Sequence, residues 1–76
     1  MAYTTLLKTI VIQHPTEGRF KFEIFQDENR FFYADIYQKT RDGFWVLTHD
    51  EYGFKIASSL EDAEKGCEKF IINFGK

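Results

Sequence analysis

Hydrophobic positions in this chain recur at two different periods. In SSLEDAEKGCEKFIINF, residues 58–74, Leu60, Ala63, Cys67, Phe70, Ile71 and Phe74 follow one another at spacings of three and four. That is one apolar stripe of a helix. Glu61, Asp62, Glu64, Lys65, Glu68 and Lys69 fall mainly on the other side. Ser58 with Glu61 three residues on predicts a capping box, which satisfies two orphan amides. Acidic residues in the first turn suit the positive end of the helix dipole. Gly66 is the weak point, costing about 1 kcal/mol relative to alanine inside a helix. Close approach to a sheet is one reason for a glycine there, and neutral drift is another.

Everything before the helix reads as strands and turns. Leu6, Leu7, Ile10, Val11 and Ile12 predict a first strand over 5–13, apolar at both parities. Such a strand is either buried on both faces or an edge used by a partner. Pro15 and Gly18 close it. The second strand, 19–26, alternates Phe20, Phe22 and Ile24 with Lys21 and Glu23, a period of two. The third, 30–38, puts Phe32, Ala34 and Ile36 on one parity and Phe31, Tyr33, Asp35 and Tyr37 on the other. The fourth, 44–49, sets Phe44, Val46 and Thr48 against Trp45, Leu47 and His49. Tyr52, Phe54 and Ile56 then mark a short fifth strand or a packed connection.

Turn chemistry sets the expected register. A type I turn over 26–29, with Asn29 left-handed as the bulge residue, pairs Phe25 with Phe31, Phe22 with Ala34 and Lys21 with Asp35. The same turn over 40–43, with Gly43 left-handed, pairs Tyr37 with Leu47 and Asp35 with His49. Phe20, Phe22, Ile24, Phe32, Ala34, Ile36, Phe44 and Val46 then share one face, whereas a two-residue Asp-Gly turn would mix the faces. The predicted fold is a single α+β domain over 1–76: a curved antiparallel meander of four to five strands, with the C-terminal helix on one face.

One helix is about 10 Å across, while four strands about 4.8 Å apart span nearly 20 Å. The helix covers its face only if the sheet curls around it. The opposite face is left open. It carries Phe25, Phe31, Tyr33, Tyr37, Trp45 and Leu47 as a candidate binding surface, with Lys21, Asp35, Lys39 and His49 as candidate polar contacts. Three readings of that face stay open: solvated sheet, a twofold self-association interface, and a platform for a ligand or partner protein.

Composition narrows the classes. The chain has 76 residues, one Cys and 18% aromatic residues, with nine Phe among them. A domain this short buries only about 60% of its unfolded surface, so it is marginal without added support. Cys67, on the predicted buried stripe, reads as a small hydrophobe, and the lack of a cysteine pair suits a reducing compartment. The first residues show no charged region followed by an apolar one, so no secretory leader is expected. No apolar run reaches the roughly 20 residues that span a bilayer. A cytoplasmic location and no membrane partner are therefore expected.

Catalytic chemistry finds little support. The predicted Lys21–Asp35–His49 ladder reads as cross-strand charge pairing, with no Ser or Cys nucleophile beside it. His14 precedes Pro15 in a turn. One Cys and two separated His do not make a tetrahedral metal site, and no glycine-rich phosphate loop joins a strand to a helix. No catalytic residue, metal or cofactor is expected. Nucleic acid is the better rival, since aromatic rings on an open sheet can stack bases. Arg19, Lys21, Lys39, Arg41 and Lys55 lie around the face, but so do Glu23, Asp35, Asp50 and Glu51, and the net charge of −2 disfavours backbone neutralisation.

FEIFQDEN at 22–29 and the helix positions Ser59, Ala63, Gly66, Cys67 and Phe70 resemble the small YegP-like domains of unknown function. The helix segment is similar to that family's S-x-x-x-A-x-x-G-aliphatic pattern, with Cys67 in the aliphatic place. The resemblance covers about two thirds of the chain. It implies a compact antiparallel sheet followed by a helix, and brings no site residues. The chain departs from the family in its extra N-terminal strand, a longer third hairpin loop, and a single copy of a unit that is often doubled. The expectation is a non-catalytic interaction module, self-associating as a homodimer, with a single-stranded nucleic-acid binder as the alternative.

Overall fold

A computed structural model describes residues 4–54 and 57–74 of the chain. Among these, four strands precede one helix: β1 (Thr4–His14), β2 (Gly18–Asp27), β3 (Phe32–Lys39), β4 (Trp45–Phe54) and α1 (Leu60–Asn73). The strands form one antiparallel sheet in the order β1-β2-β3-β4, so β1 and β4 are its edges. The fold is the expected α+β meander with a C-terminal helix. Tyr52 and Phe54 belong to the far end of β4 rather than to a separate strand; Lys55 and Ile56 lie outside the described residues.

The period-two pattern places the core. Phe20, Phe22, Ile24, Ala34 and Ile36 are all 0% exposed and meet Ala63 and Cys67 of the helix, also at 0%. Burying each large side chain contributes about 1.5–3 kcal/mol. The helix starts one residue later than its capping pattern suggested. Ser59 is the N-cap, its hydroxyl accepting the Asp62 amide. Asp62 reaches back to the amide and hydroxyl of Ser58. The Ser58–Glu61 box is therefore replaced by a cap on Ser59, with Asp62 holding the residue before the cap rather than the cap's own amide.

Both hairpins use the expected three-residue loop, but the first sits one residue further on. Asp27 opens it: its carboxylate accepts the amides of Asn29 and Phe31, and its carbonyl accepts the amide of Arg30. Arg30, at φ 66°, takes the left-handed place expected for Asn29. The pairing slides by two residues, to Phe22 with Ile36, Ile24 with Ala34, Phe25 with Tyr33 and Lys21 with Tyr37. Parity survives a slide of two, so every core residue keeps its face. The second hairpin is as expected, with Gly43 at φ 88° and Tyr37 opposite Leu47.

Beyond that point β4 departs from the expected ladder. Its register shifts between Tyr37 and Ile36 and again between Ile36 and Ala34. Glu51 sits at φ 52°, and its amide donates to the Asp35 carboxylate at 3.1 Å. The extra residues form a bulge, which re-aims the side chains around it. His49 consequently pairs with Ile36, not Asp35, and packs its ring on Phe70 of the helix.

The helix is tied to the sheet near both ends. Lys8 on β1 bridges to Glu64. At the other end His14 is 7% exposed, and its Nδ1 accepts the amides of Thr16 and Glu17 at 3.0 and 2.9 Å. Backbone N–H groups only donate, so Nδ1 is the acceptor and Nε2 carries the proton. That N–H donates to the Phe74 carbonyl at 3.1 Å, closing the helix end onto the first turn.

Candidate functional site: the open sheet face and the cleft beside the helix

Among the described residues no element covers the face of the sheet opposite α1. The pairings arrange it in rows across the strands. Leu6, Phe25 and Tyr33 make an apolar row near the first hairpin loop, ending at Gly53. Thr9, Glu23 and Asp35 follow, with Asp50 beside Asp35. Val11, Lys21, Tyr37 and Leu47 come next. Lys39 and Trp45 form the last row, near the second hairpin loop. Phe25, Tyr33, Tyr37 and Trp45 are half-buried, whereas Leu47 is exposed.

The candidate face is thus two apolar patches with an acidic row between them. The patches lie about 13 Å apart, four residues along a strand. Lys21 caps the second patch, its ammonium 4.6 Å from the Tyr37 ring centre and 5.1 Å from that of Trp45; Lys39 lies 5.7 Å from the same indole. Contacts of this kind are worth about 0.5–1 kcal/mol each at exposed sites.

The acidic row shifts the titratable groups in and around it. Asp50 is raised above its ordinary value, first by its hydrogen bond with Asp35, then by local desolvation and the Asp35 charge. The Tyr37 phenol is pushed up by the Glu23 carboxylate at its hydroxyl, then by partial burial and nearby acidic charge. Partial burial raises Tyr33 first, with Asp27, Glu51 and Asp35 adding to it.

Two of the expected site residues fall elsewhere. The β4 bulge turns His49 to the helix side, so the Lys21–Asp35–His49 ladder does not form; Lys21 faces Tyr37 and Asp35 faces Glu23. Phe31 sits in the first hairpin loop, 61% exposed and outside the strand rows. Phe44 and Val46, expected in the core, are 69% and 49% exposed because α1 does not reach that end of β4.

The same shortfall in width opens a cleft on the helix side that the sequence pattern did not signal. It lies between the far half of β4 and the helix, with a volume of about 700 Å³. Tyr52 and Phe54 form one wall, Phe70 and Phe74 the other. Phe70 has the rings of His49, Tyr52, Phe74 and Phe22 at 5.1, 5.3, 5.6 and 5.7 Å. Gly66 lies against Phe54: a Cβ there would stand 2.6 Å from the ring. Close approach is therefore the reason for this glycine. Tyr52-x-Phe54 and Phe70-x-x-x-Phe74 were readable as aromatic pairs, but only the packing of α1 on the bulged β4 brings them together. A polar pocket of about 540 Å³ lies at the other end, where Arg19, Lys39 and Arg41 gather around Gln38 and Glu17.

Nucleophilic groups are poorly placed. Burial, then the charges of Glu64 and Glu68, push the Cys67 thiol up to about 12, and His14 spends both ring nitrogens on backbone groups. No group of three or more His, Cys, Asp or Glu among the described residues could hold a metal ion. No helix among them is long and apolar enough to cross a membrane. Comparisons with protein-family models, with curated proteins and with solved structures return no significant match to the chain.

Proposed function

We propose that this chain is a non-catalytic interaction module that self-associates, as a homodimer, through the open face of its sheet. The observation that carries this reading is the order of the rows. A twofold axis lying between two such faces, perpendicular to the strands, keeps each strand over its own copy and exchanges the ends. Lys21 then meets the partner's Glu23. Trp45 lands over the partner's Gly53, the one flat place in the rows, where a Cβ would have open space. Arg19 and Lys39 face the partner's Phe25 and Tyr33. Complementary charge of this kind fixes register and orientation more than it adds affinity. The buried thiol and backbone-bonded His14 support a role without covalent chemistry, and a lone reduced cysteine suits the cytoplasm.

The test is solution mass by light scattering across concentration. A dimer is expected that dissociates in Lys21→Glu and in Glu23→Lys and re-forms when both changes are present. A strict monomer at high concentration sinks the reading, as does a dimer indifferent to both changes.

One observation favours a second reading, a single-stranded nucleic-acid binder: Arg19, Lys21, Lys39 and Arg41 collect at the end that holds Tyr37 and Trp45. Against it, the lysines cover the rings that bases would stack on, and the Glu23–Asp35–Asp50 row cuts across any strand path. Titration with a labelled oligonucleotide at low salt separates the two. Binding that is lost in Trp45→Ala would support the second reading, and no binding at low salt removes it.

A further inference from the structure

The aromatic cleft between β4 and α1 lies on the other side of the sheet from the proposed interface, and its chemistry is different. Its volume, about 700 Å³, falls within the roughly 300–1,000 Å³ range of small-molecule sites. Its walls are the rings of Tyr52, Phe54, Phe70 and Phe74. Its rim on the helix carries Lys65 and Lys69, one turn apart and both exposed. The salt bridge formed among the described residues is Lys8–Glu64, so neither rim lysine has a carboxylate within ion-pair distance among them. Asp62 also lines the cleft, but its carboxylate is committed to the amide and hydroxyl of Ser58, at 3.2 and 2.9 Å.

We propose that this cleft binds a small anionic amphiphile, an acyl or aryl carboxylate, with its apolar body between the Phe54 and Phe70 rings and its carboxylate on Lys65 and Lys69. The backbone of β4 beside the cleft favours a small molecule over a peptide added to the β4 edge. Strand addition needs a run of free edge backbone. Beside the cleft the run is only Tyr52 to Phe54, broken on one side by Glu51 at φ 52°. On the other side the Phe54 carbonyl is taken by the amide of Ala57.

The experiment is an amide NMR titration of the whole chain with dodecanoate below its micelle threshold, with dodecylammonium as the matched cation. Saturable shifts are expected at Phe54, Gly66, Lys69 and Phe70, with the open-face amides of Tyr37 and Leu47 unmoved. Dodecylammonium is expected to bind at least about tenfold more weakly. Lys65→Gln with Lys69→Gln should weaken dodecanoate about tenfold, a loss of about 1.4 kcal/mol. Both lysines are exposed, so the variant should keep the amide dispersion of the parent. Equal binding of the two amphiphiles, or dodecanoate affinity unchanged in the double variant, overturns the proposal. So does a shift pattern centred on the open face. An acidic, aromatic-containing peptide that moves the cleft amides while dodecanoate does not would overturn it in favour of strand addition. None of these outcomes depends on whether the chain dimerises.

Discussion

The two faces of this sheet are drawn from the same strands, one residue apart, and they have opposite fates. On one, Phe20, Phe22, Ile24 and Ile36 are completely buried. On the other, Phe25, Tyr33, Tyr37 and Trp45 are only half-buried, and cations rest on two of the rings. Both faces are aromatic, so aromatic content alone does not separate them. The difference is a single helix, and the residues that tolerate its absence. The covered face uses phenylalanine and isoleucine, which have nothing to offer water. The open face uses tyrosine, tryptophan and lysine, whose apolar bodies can pack while their polar ends stay wet.

That contrast is broken most strongly by truncating one ring on each face. Phe22→Ala removes a ring that is 0% exposed and packed on Phe70. It should cost about 3–5 kcal/mol, a large part of the stability of any small domain, which is about 5–15 kcal/mol. Tyr33→Ala on the open face should cost less than about 1 kcal/mol in the dilute chain. Urea unfolding of the two variants at low protein concentration measures the difference. Repeating it at high concentration sharpens it. If the open face associates, the parent's midpoint rises with concentration and that of Tyr33→Ala rises less. Equal losses at low concentration would mean that the open face is as much a core as the covered one.

A smaller effect, the balance of two opposed contributions, lies where the helix meets β4. Gly66→Ala should gain about 1 kcal/mol from helix propensity. Its new Cβ would stand 2.6 Å from Phe54 Cδ1 and 2.9 Å from Cε1, and overpacking of that kind costs about 1–3 kcal/mol. Phe54 is 8% exposed and flanked by Tyr52, so its ring can yield only toward the cleft, at the expense of that packing. A net loss of about 1 kcal/mol is expected in thermal or urea unfolding. Adding Phe54→Leu should recover part of it, making the double variant more stable than the sum of the singles. A plain gain in Gly66→Ala would show that the helix can lift off β4.

The sequence pattern made the covered face legible and the open face only partly so, for a physical reason. Core positions depend on parity, and parity survives an error of two residues in a turn. Asp27 moved the first turn by one position, because its side chain accepts two loop amides where Asn29 would have supplied only a left-handed backbone. Every pairing slid by two, yet Phe20, Phe22, Ile24, Ala34 and Ile36 stayed inside. A site depends on absolute register instead. The slide changed the residue facing Lys21 from Asp35 to Tyr37. The β4 bulge then took His49 off the face, since extra residues in one strand reverse its alternation. An aspartate opening DENR was a readable turn signal. The bulge had none, because the contact that accompanies it, the Glu51 amide on the Asp35 carboxylate, joins residues sixteen apart in the chain. The positions behind the YegP-like resemblance prove to be packing positions: Ser59 caps the helix, Ala63 and Cys67 are buried, and Gly66 admits Phe54.

The smallest expected effect concerns the acidic row that divides the open face. Asp50 has its pKa raised above the ordinary value, foremost by the hydrogen bond with Asp35. A carboxyl whose folded pKa exceeds its unfolded one binds its proton more tightly when folded. Ionising it therefore costs stability: the penalty is absent below the unfolded pKa, grows as the pH rises through the folded one, and is fully present at neutral pH. Asp50→Asn keeps a hydrogen-bond donor toward Asp35 and removes the second charge. It should raise the thermal midpoint slightly at neutral pH, and the gain should fade as the pH falls through the carboxylate range, where the parent sheds the same charge. The Asp62 carboxylate behaves in the opposite sense. Its pKa is lowered, first by the Ser58 hydroxyl and then by the Ser58 amide, so its contribution is present at neutral pH and lost on acidification. Thermal unfolding of parent and variant across pH separates the two, because only the Asp50 contribution is missing from Asp50→Asn. A gain that is constant with pH would mean that the two carboxylates do not sense each other across the β4 bulge.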